Sequence, residues 1–255
     1  LYLYCITAVT VIGGLLFGYD TAVISGAEQG LESFFRSSSD FEYTKAWHGI
    51  TASSALIGCV IGGAISGILA SRLGRRNSLR LAALLFFLSS LGSYYPEFLF
   101  FEYGKPSANL LVAFNLYRIL GGIGVGLASA VCPMYIAEIA PAHMRGRLVS
   151  CNQFAIIFGM LVVYFVNYLI RNNLPTAEAM ITIGWRRMFL SEAFPAGIFG
   201  LLLFFVPKTP RYLVLSGHPN EALNVLERIN GKSKAAAILE EIKATAREKS
   251  EKLRT

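Results

Sequence analysis

One carboxylate, Asp20, stands in an apolar run over residues 1–27 that has no other charged side chain. In lipid such a group costs about 2.5–3.5 kcal/mol on insertion scales, so it usually faces a protein interior or a water-filled path and has a partner there. Arg118 lies in a second apolar run, 110–137, and Glu192 in a third, 185–206. At about 1.5 Å of rise per residue, all three fall roughly 10–12 Å from the same end of their runs. Charges at one depth on different helices can meet. Arg118 beside Asp20 would hold the carboxylate ionised, and burial would favour its neutral form. A small rearrangement could then switch the acid between the two, which is what proton-coupled transport needs. The other reading is a static salt bridge that fixes helix positions. Apolar packing could replace such a bridge at little cost, which favours the coupling role.

A second set of polar residues lies in the apolar run 148–170, where Asn152, Gln153 and Asn167 carry amides. Amides donate and accept without charge. In a pore wall they would bind hydroxyls; between helices they would bind backbone. Spacing does not separate the two uses. Phe17, Tyr19, Phe154 and Phe158 could supply faces for a sugar ring, although each taken singly reads as packing.

These residues need helices to position them. The chain is 54% hydrophobic and only 15% charged, with a mean hydropathy of +0.52. Apolar stretches near the 20 residues needed to cross a bilayer recur at 1–27, 47–70, 79–95, 110–137, 148–170 and 185–206. The expected fold is an all-α integral membrane protein with six spans. The first run is too long for a signal peptide and lacks a small-residue cleavage site, so it reads as a retained span. The net charge of +7 is not a nucleic-acid signal, because the basic residues gather in alternate connections. Arg72, Arg75, Arg76 and Arg80 follow the second span, His143, Arg145 and Arg147 follow the fourth, and a Lys/Arg-rich tail follows the sixth. Residues 29–45 are net acidic, 97–105 weakly acidic and 171–178 balanced. The basic connections, the amino terminus and the tail are therefore expected in the cytoplasm.

Glycines recur four apart at Gly14/Gly18, Gly58/Gly62, Gly63/Gly67 and Gly122/Gly126, a spacing that lets helix backbones approach closely. Cys5, Cys59, Cys132 and Cys151 fall in or at the ends of apolar runs without metal-ligand spacing and read as buried free thiols. No nucleophile–base set, metal cluster or phosphate loop is visible, so neither an enzyme nor a cofactor is expected. Residues 1–207 read as the membrane domain and 208–255 as a cytoplasmic segment. In that segment, 218–230 is an amphipathic helix with Ala222, Leu223, Leu226 and Ile229 on one face, stopped by Gly231. A second, 233–253, has Ile238, Leu239 and Ile242 as its stripe.

Several stretches, in order, resemble the sugar-porter branch of the major facilitator superfamily. GGLLFGYDTAVISG (13–26) is similar to its first helix. RLGRR (72–76) resembles the signature loop between helices two and three. YRILGGIGVGLASAVCPMYIAEIAPAHMRGRLVSCNQFAIIFG (117–159) resembles helices four and five. GWRRMF (184–189) and PKTPRYL (207–213) resemble the start and end of helix six. The resemblance implies the amino-terminal six-helix half of a twelve-helix transporter, built as a 3+3 repeat, that binds a monosaccharide between its two halves. This chain would then be a fragment whose partners are the bilayer, the sugar, protons and a carboxyl-terminal six-helix half. The expected location is a cell membrane, such as a bacterial inner membrane.

The same resemblance assigns roles. Asp20 matches the symporters' proton-accepting carboxylate, where the facilitators have Asn, and Arg118 matches its buried partner. Gln153 matches a sugar-binding glutamine and Phe17 an aromatic residue of the sugar site. Arg75, Arg76, Glu138, Arg145 and Arg211 match a cytoplasmic charged network that latches the outward-facing state. Two residues depart from the pattern. Met160 stands where the xylose–proton symporters have a second sugar-binding glutamine, and an apolar residue there is more like the glucose facilitators, so a pentose or a hexose fits. Lys208 stands where the family usually has Glu, which reverses one charge of the latch. Proton-coupled sugar symport is the leading expectation. An uncoupled facilitator with a structural Asp20, or a non-transporting sugar sensor, are the alternatives.

Overall fold

The computed structural model describes residues 2–98 and 102–252, and every regular element among them is helical. The membrane part begins with α1 (Tyr2–Arg36), α2 (Lys45–Arg72), α3 (Arg75–Tyr94), α4 (Ala108–Ile139) and α5 (Arg145–Asn172). The hydroxyls of Thr44 and Ser107 cap α2 and α4 by accepting from the N–H groups of Trp47 and Leu110, which satisfies otherwise free donors of the first turn. The first helix does not stop near residue 27. Leu31, Phe34 and Phe35 keep burying an apolar face, and no breaker appears before the run Ser37–Ser38–Ser39–Asp40. Part of the expected acidic loop is therefore helix.

The sixth span is not continuous. A turn at Ala177–Ala179 leads into a π-helical turn, Met180–Gly184, then α6 (Trp185–Ser191) and α7 (Ala193–Leu202). The break falls at Glu192 because Pro195 has no N–H to give the Ser191 carbonyl four residues back. Among the described residues, only α1, α2, α4 and α5 are long and apolar enough, taken alone, to cross a membrane. Helix α3 carries Arg75, Arg76 and Arg80 at its start. Beyond the spans lie α8 (Pro210–Leu215), α9 (Pro219–Asn230) and α10 (Lys232–Lys252). The first of these was not expected. Gly231 ends α9 with φ 81°, a conformation that glycine adopts without strain. The expected ends at Leu1 and Leu253 lie outside the described residues.

The glycines decide which helices touch. A methyl at Gly18 would lie 1.9 Å from the Ile156 carbonyl oxygen, and one at Gly159 would lie 2.1 Å from that of Leu15, so α1 and α5 pack backbone to backbone. Helices α2 and α4 do the same through Gly58 and Gly122, whose added methyls would reach the carbonyls of Ile119 and Ala55 at 2.1 and 2.0 Å. Exchanging helices one, two and three with four, five and six turns the first pair into the second, as a 3+3 repeat requires. Gly63 and Gly67 have nothing within 4 Å to meet an added methyl, so their shared face is open.

Two apolar clusters fill the bundle. One, near the arginine-rich end, includes Leu16, Leu79, Phe86, Val131, Tyr135 and Phe199. The other, toward the opposite end, includes Val23, Leu31, Phe35, Phe114, Trp185 and Phe189. On α1, on α4 and at the α6–α7 break, the charged residues fall where one cluster gives way to the other. A third cluster joins the tail helices through Leu213, Ala222, Leu226, Ala235 and Leu239. The cysteines are all free, but only Cys132 is buried. Cys59 is half-buried, and Cys5 and Cys151 are exposed, because an apolar run exposes one face to lipid as readily as it buries another.

Candidate functional site

Asp20 and Arg118 are both almost wholly buried, at 1% and 2% exposure. Arg118 donates from Nη1 to Asp20 Oδ1 at 2.5 Å and from Nη2 to the Asp20 carbonyl at 3.4 Å. The guanidinium also stands over the Phe189 ring, 5.0 Å from its centroid. Glu192 is equally buried and is close enough to interact with both Asp20 and Arg118. The site is incompletely bonded. Asp20 Oδ2, Arg118 Nε and both carboxyl oxygens of Glu192 have no hydrogen-bond partner among the described residues while both acids are ionised, although Glu192 and Asp20 lie within hydrogen-bond reach of each other. Two carboxyl groups face one guanidinium, so one proton on either acid makes the layer neutral. Such an arrangement can bind and release a proton without a large change in packing. The break at Glu192 matters here, since irregular turns in membrane helices often mark working sites.

The residues matched to sugar binding lie on α1 and α5. Gln153 is exposed on α5, and Phe17 and Met160 are half-buried. The other amides of α5 serve packing. Asn167 donates to the Val23 carbonyl on α1 at 3.3 Å. Asn152 is buried against Gly14, where an added methyl would lie 2.6 Å from its Oδ1. Phe154 and Phe158 are exposed and stacked, with ring centroids 6.1 Å apart. Tyr19 offers no free ring face: it is buried, and its hydroxyl pairs with Ser191 at 2.7 Å.

At the basic end the structure assembles part of the expected network. Arg75 pairs with Glu138 at 2.7 Å, tying α3 to α4. Arg76 and Arg80 donate instead to the carbonyls of Val206 and Leu203, each at 3.2 Å, and so hold the end of the sixth span. Tyr135 adds a bond to the Pro207 carbonyl at 2.8 Å. Arg145 and Arg211 are exposed and form no ion pair among the described residues. Lys208 is half-buried, also without an ion pair among them.

Sequence reasoning missed the second buried ion pair. Arg186 donates to Glu97 from Nη1 at 2.7 Å and from Nη2 at 2.5 Å, with both side chains wholly buried. Two more of its hydrogens go to the carbonyls of Tyr94 and Thr182, and Glu97 also accepts from the Gly104 N–H. The available signal was the position of Arg186 just inside a span, with the acid Glu97 directly after the third.

The chain matches the family model for "Sugar (and other) transporter" over residues 6–254 and belongs to that family. It is 49% identical to the D-xylose-proton symporter of Escherichia coli (strain K12) over 250 residues, 95% of this chain and 51% of that protein. With the arabinose-proton symporter of Bacillus subtilis (strain 168) it shares 40% identity over 231 residues, 91% of this chain and 46% of that one. Among solved structures, the proton:xylose symporter XylE bound to 6-bromo-6-deoxy-D-glucose superposes with a TM-score of 0.92 at 47% identity. That match covers 97% of this chain and 54% of the other. The chain thus spans about half the length of the relatives it matches. Its fold is that of the amino-terminal half of a multi-pass membrane transporter of the major facilitator superfamily.

Proposed function

We propose that this chain is the sugar- and proton-handling amino-terminal half of a symporter that works by alternating access with a second six-helix half. The observation that carries the reading is the buried Asp20–Arg118–Glu192 layer, with its four unpartnered polar atoms. A layer meant only to hold helices together would gain by satisfying those atoms. Asp20 is the proton acceptor. Binding a proton removes its charge and weakens its hold on Arg118, which can then turn to the unpaired Glu192 nearby. Helices that had been locked through Asp20 are freed to rock against the other half. Release of the proton on the far side restores the original pair.

Residues 1–207 form the transporter half and 208–255 a helical segment that braces the gate. The basic end faces the cytoplasm, as the placement of its arginines supports, so the amino terminus and the tail share that side of a bacterial inner membrane. Arg75, Arg76 and Glu138 form the working part of the gate, and Arg145 and Arg211 find their partners on the second half. The substrate is a pentose or hexose, in keeping with the xylose and arabinose carried by the named relatives. Phe17, Gln153 and Met160 contribute this half's share of the sugar site. In the complete transporter, Asp20→Asn should abolish uphill, pH-driven accumulation while leaving sugar exchange. Accumulation against a gradient by that variant would refute the assignment.

A further inference from the structure

Hydroxyls inside helices ordinarily turn back onto a carbonyl three or four residues earlier. Thr7, Thr10, Ser54, Ser66, Ser78 and Ser90 all do so. Ser89 on α3 does not. It is wholly buried, and its hydroxyl has no hydrogen-bond partner among the described residues. Ser93, one turn further along the same face, is alike in both respects. A methyl at Gly121 on α4 would lie 2.4 Å from Ser89 Oγ and 3.9 Å from Asp20 Oδ1. The free hydroxyl therefore packs directly against Gly121, where a side chain would displace it, and the carboxylate lies just beyond the same point.

The chemistry of the two states of Asp20 gives that hydroxyl a use. A guanidinium has only donors, so Arg118 can serve the carboxylate but not the O–H of the acid. A hydroxyl both donates and accepts. We propose that Ser89 is a positioning residue for Asp20: its hydroxyl, without a partner while Arg118 holds the carboxylate, accepts from the carboxylic acid once the proton arrives. The other groups that face Asp20 are Arg118 on α4, Glu192 at the α6–α7 break and the Cys59 thiol on α2. Glu192 could also accept the acid's proton, but when ionised it adds a charge to the layer. Ser89 adds none.

This assignment rests on the symport reading, and one experiment separates the two. Sugar uptake driven by a proton gradient is measured against external pH in vesicles containing the complete transporter, for the wild type, Ser89→Ala, Ser89→Thr and Ser90→Ala. Ser89→Ala removes the partner of the protonated acid while Arg118 still serves the carboxylate. Its half-maximal uptake should therefore move to lower pH by about half a unit to one unit, the scale of one modest hydrogen bond. Ser89→Thr, which keeps the hydroxyl, and Ser90→Ala, whose hydroxyl serves its own helix, should keep the wild-type midpoint. Exchange without a gradient should be unchanged in Ser89→Ala. An unshifted midpoint in Ser89→Ala, or a uniform loss of uptake at every pH, overturns the assignment. An equal shift in Ser90→Ala does so too. A wild type indifferent to the gradient overturns the symport reading itself, and the role of Ser89 falls with it.

Discussion

Two buried arginine–carboxylate pairs lie in this bundle, and they are finished to different degrees. Arg186 and Glu97 meet with two parallel bonds, further bonds tie both to the backbone, and neither has a buried polar atom without a partner among the described residues. Arg118 and Asp20 share one side-chain bond, leave an oxygen and a nitrogen without partners, and have an unpaired Glu192 beside them. A buried pair is secure when all its lone pairs and protons are satisfied, so the first is built to stay. The second keeps unused bonding capacity, which is what a site must have if its partners are to be exchanged. On the proposed function, the difference separates a fastener from a switch within one set of helices.

The largest expected effect falls on the fastener. Arg186→Leu leaves Glu97 buried and uncompensated, at a cost of about 3–5 kcal/mol. The variant should lose most of its folded yield and show a large drop in melting temperature in detergent. A near wild-type melting temperature would break the distinction between the pairs. Asp20→Asn should cost clearly less stability than Arg186→Leu in the same assay, since the amide oxygen still accepts from Arg118. Equal losses would make the Asp20 pair a second fastener. Glu192→Gln sharpens the contrast further. With the competing acid neutralised, coupled uptake should fall at least several-fold while the melting temperature stays within a few degrees. Unchanged coupling would remove Glu192 from the switch.

Two substitutions leave both pairs intact and ask whether sugar recognition is separable from them. Gln153→Ala should weaken sugar binding by about 1–3 kcal/mol, the usual cost of an unmet polar partner, with the pH profile of uptake unaltered. Binding and competition assays on the complete transporter would show this, and unchanged affinity would return Gln153 to the surface. Met160→Gln replaces a weak acceptor with an amide. It should shift relative affinity toward xylose by about tenfold, one modest hydrogen bond. Competition of xylose with glucose gives the ratio, and an identical ratio would place Met160 away from the sugar.

The switch was more legible in the sequence than the fastener. Asp20 stands out because nothing else in its run is charged, and Arg118 and Glu192 fall at a matching depth. Glu97 and Arg186 hide at the edges of runs, where charge is ordinary, so composition gave no reason to pair them. The amides of α5 show the same limit. Asn152, Gln153 and Asn167 look alike along the chain, yet two are wedged against α1 and one is exposed, because facing depends on which side of α5 meets its neighbour. Tyr19 was open to a sugar-facing role until its hydroxyl was seen bound to Ser191.

The sequence alone settled the helical membrane class, the number of spans and the family resemblance. It also put Asp20, Arg118 and Glu192 at a matching level along their helices. These follow from local hydropathy, from the rise of a helix and from motif order, none of which needs a neighbouring segment. The tertiary structure decided which polar atoms are satisfied and which are left over. It decided that Gly18 and Gly159 bring α1 against α5, that Pro195 breaks the sixth span at Glu192, and that Gly121 lets the Ser89 hydroxyl pack against α4 near Asp20. Those outcomes depend on where two backbones meet and at what rotation, and a linear order of residues does not contain that information.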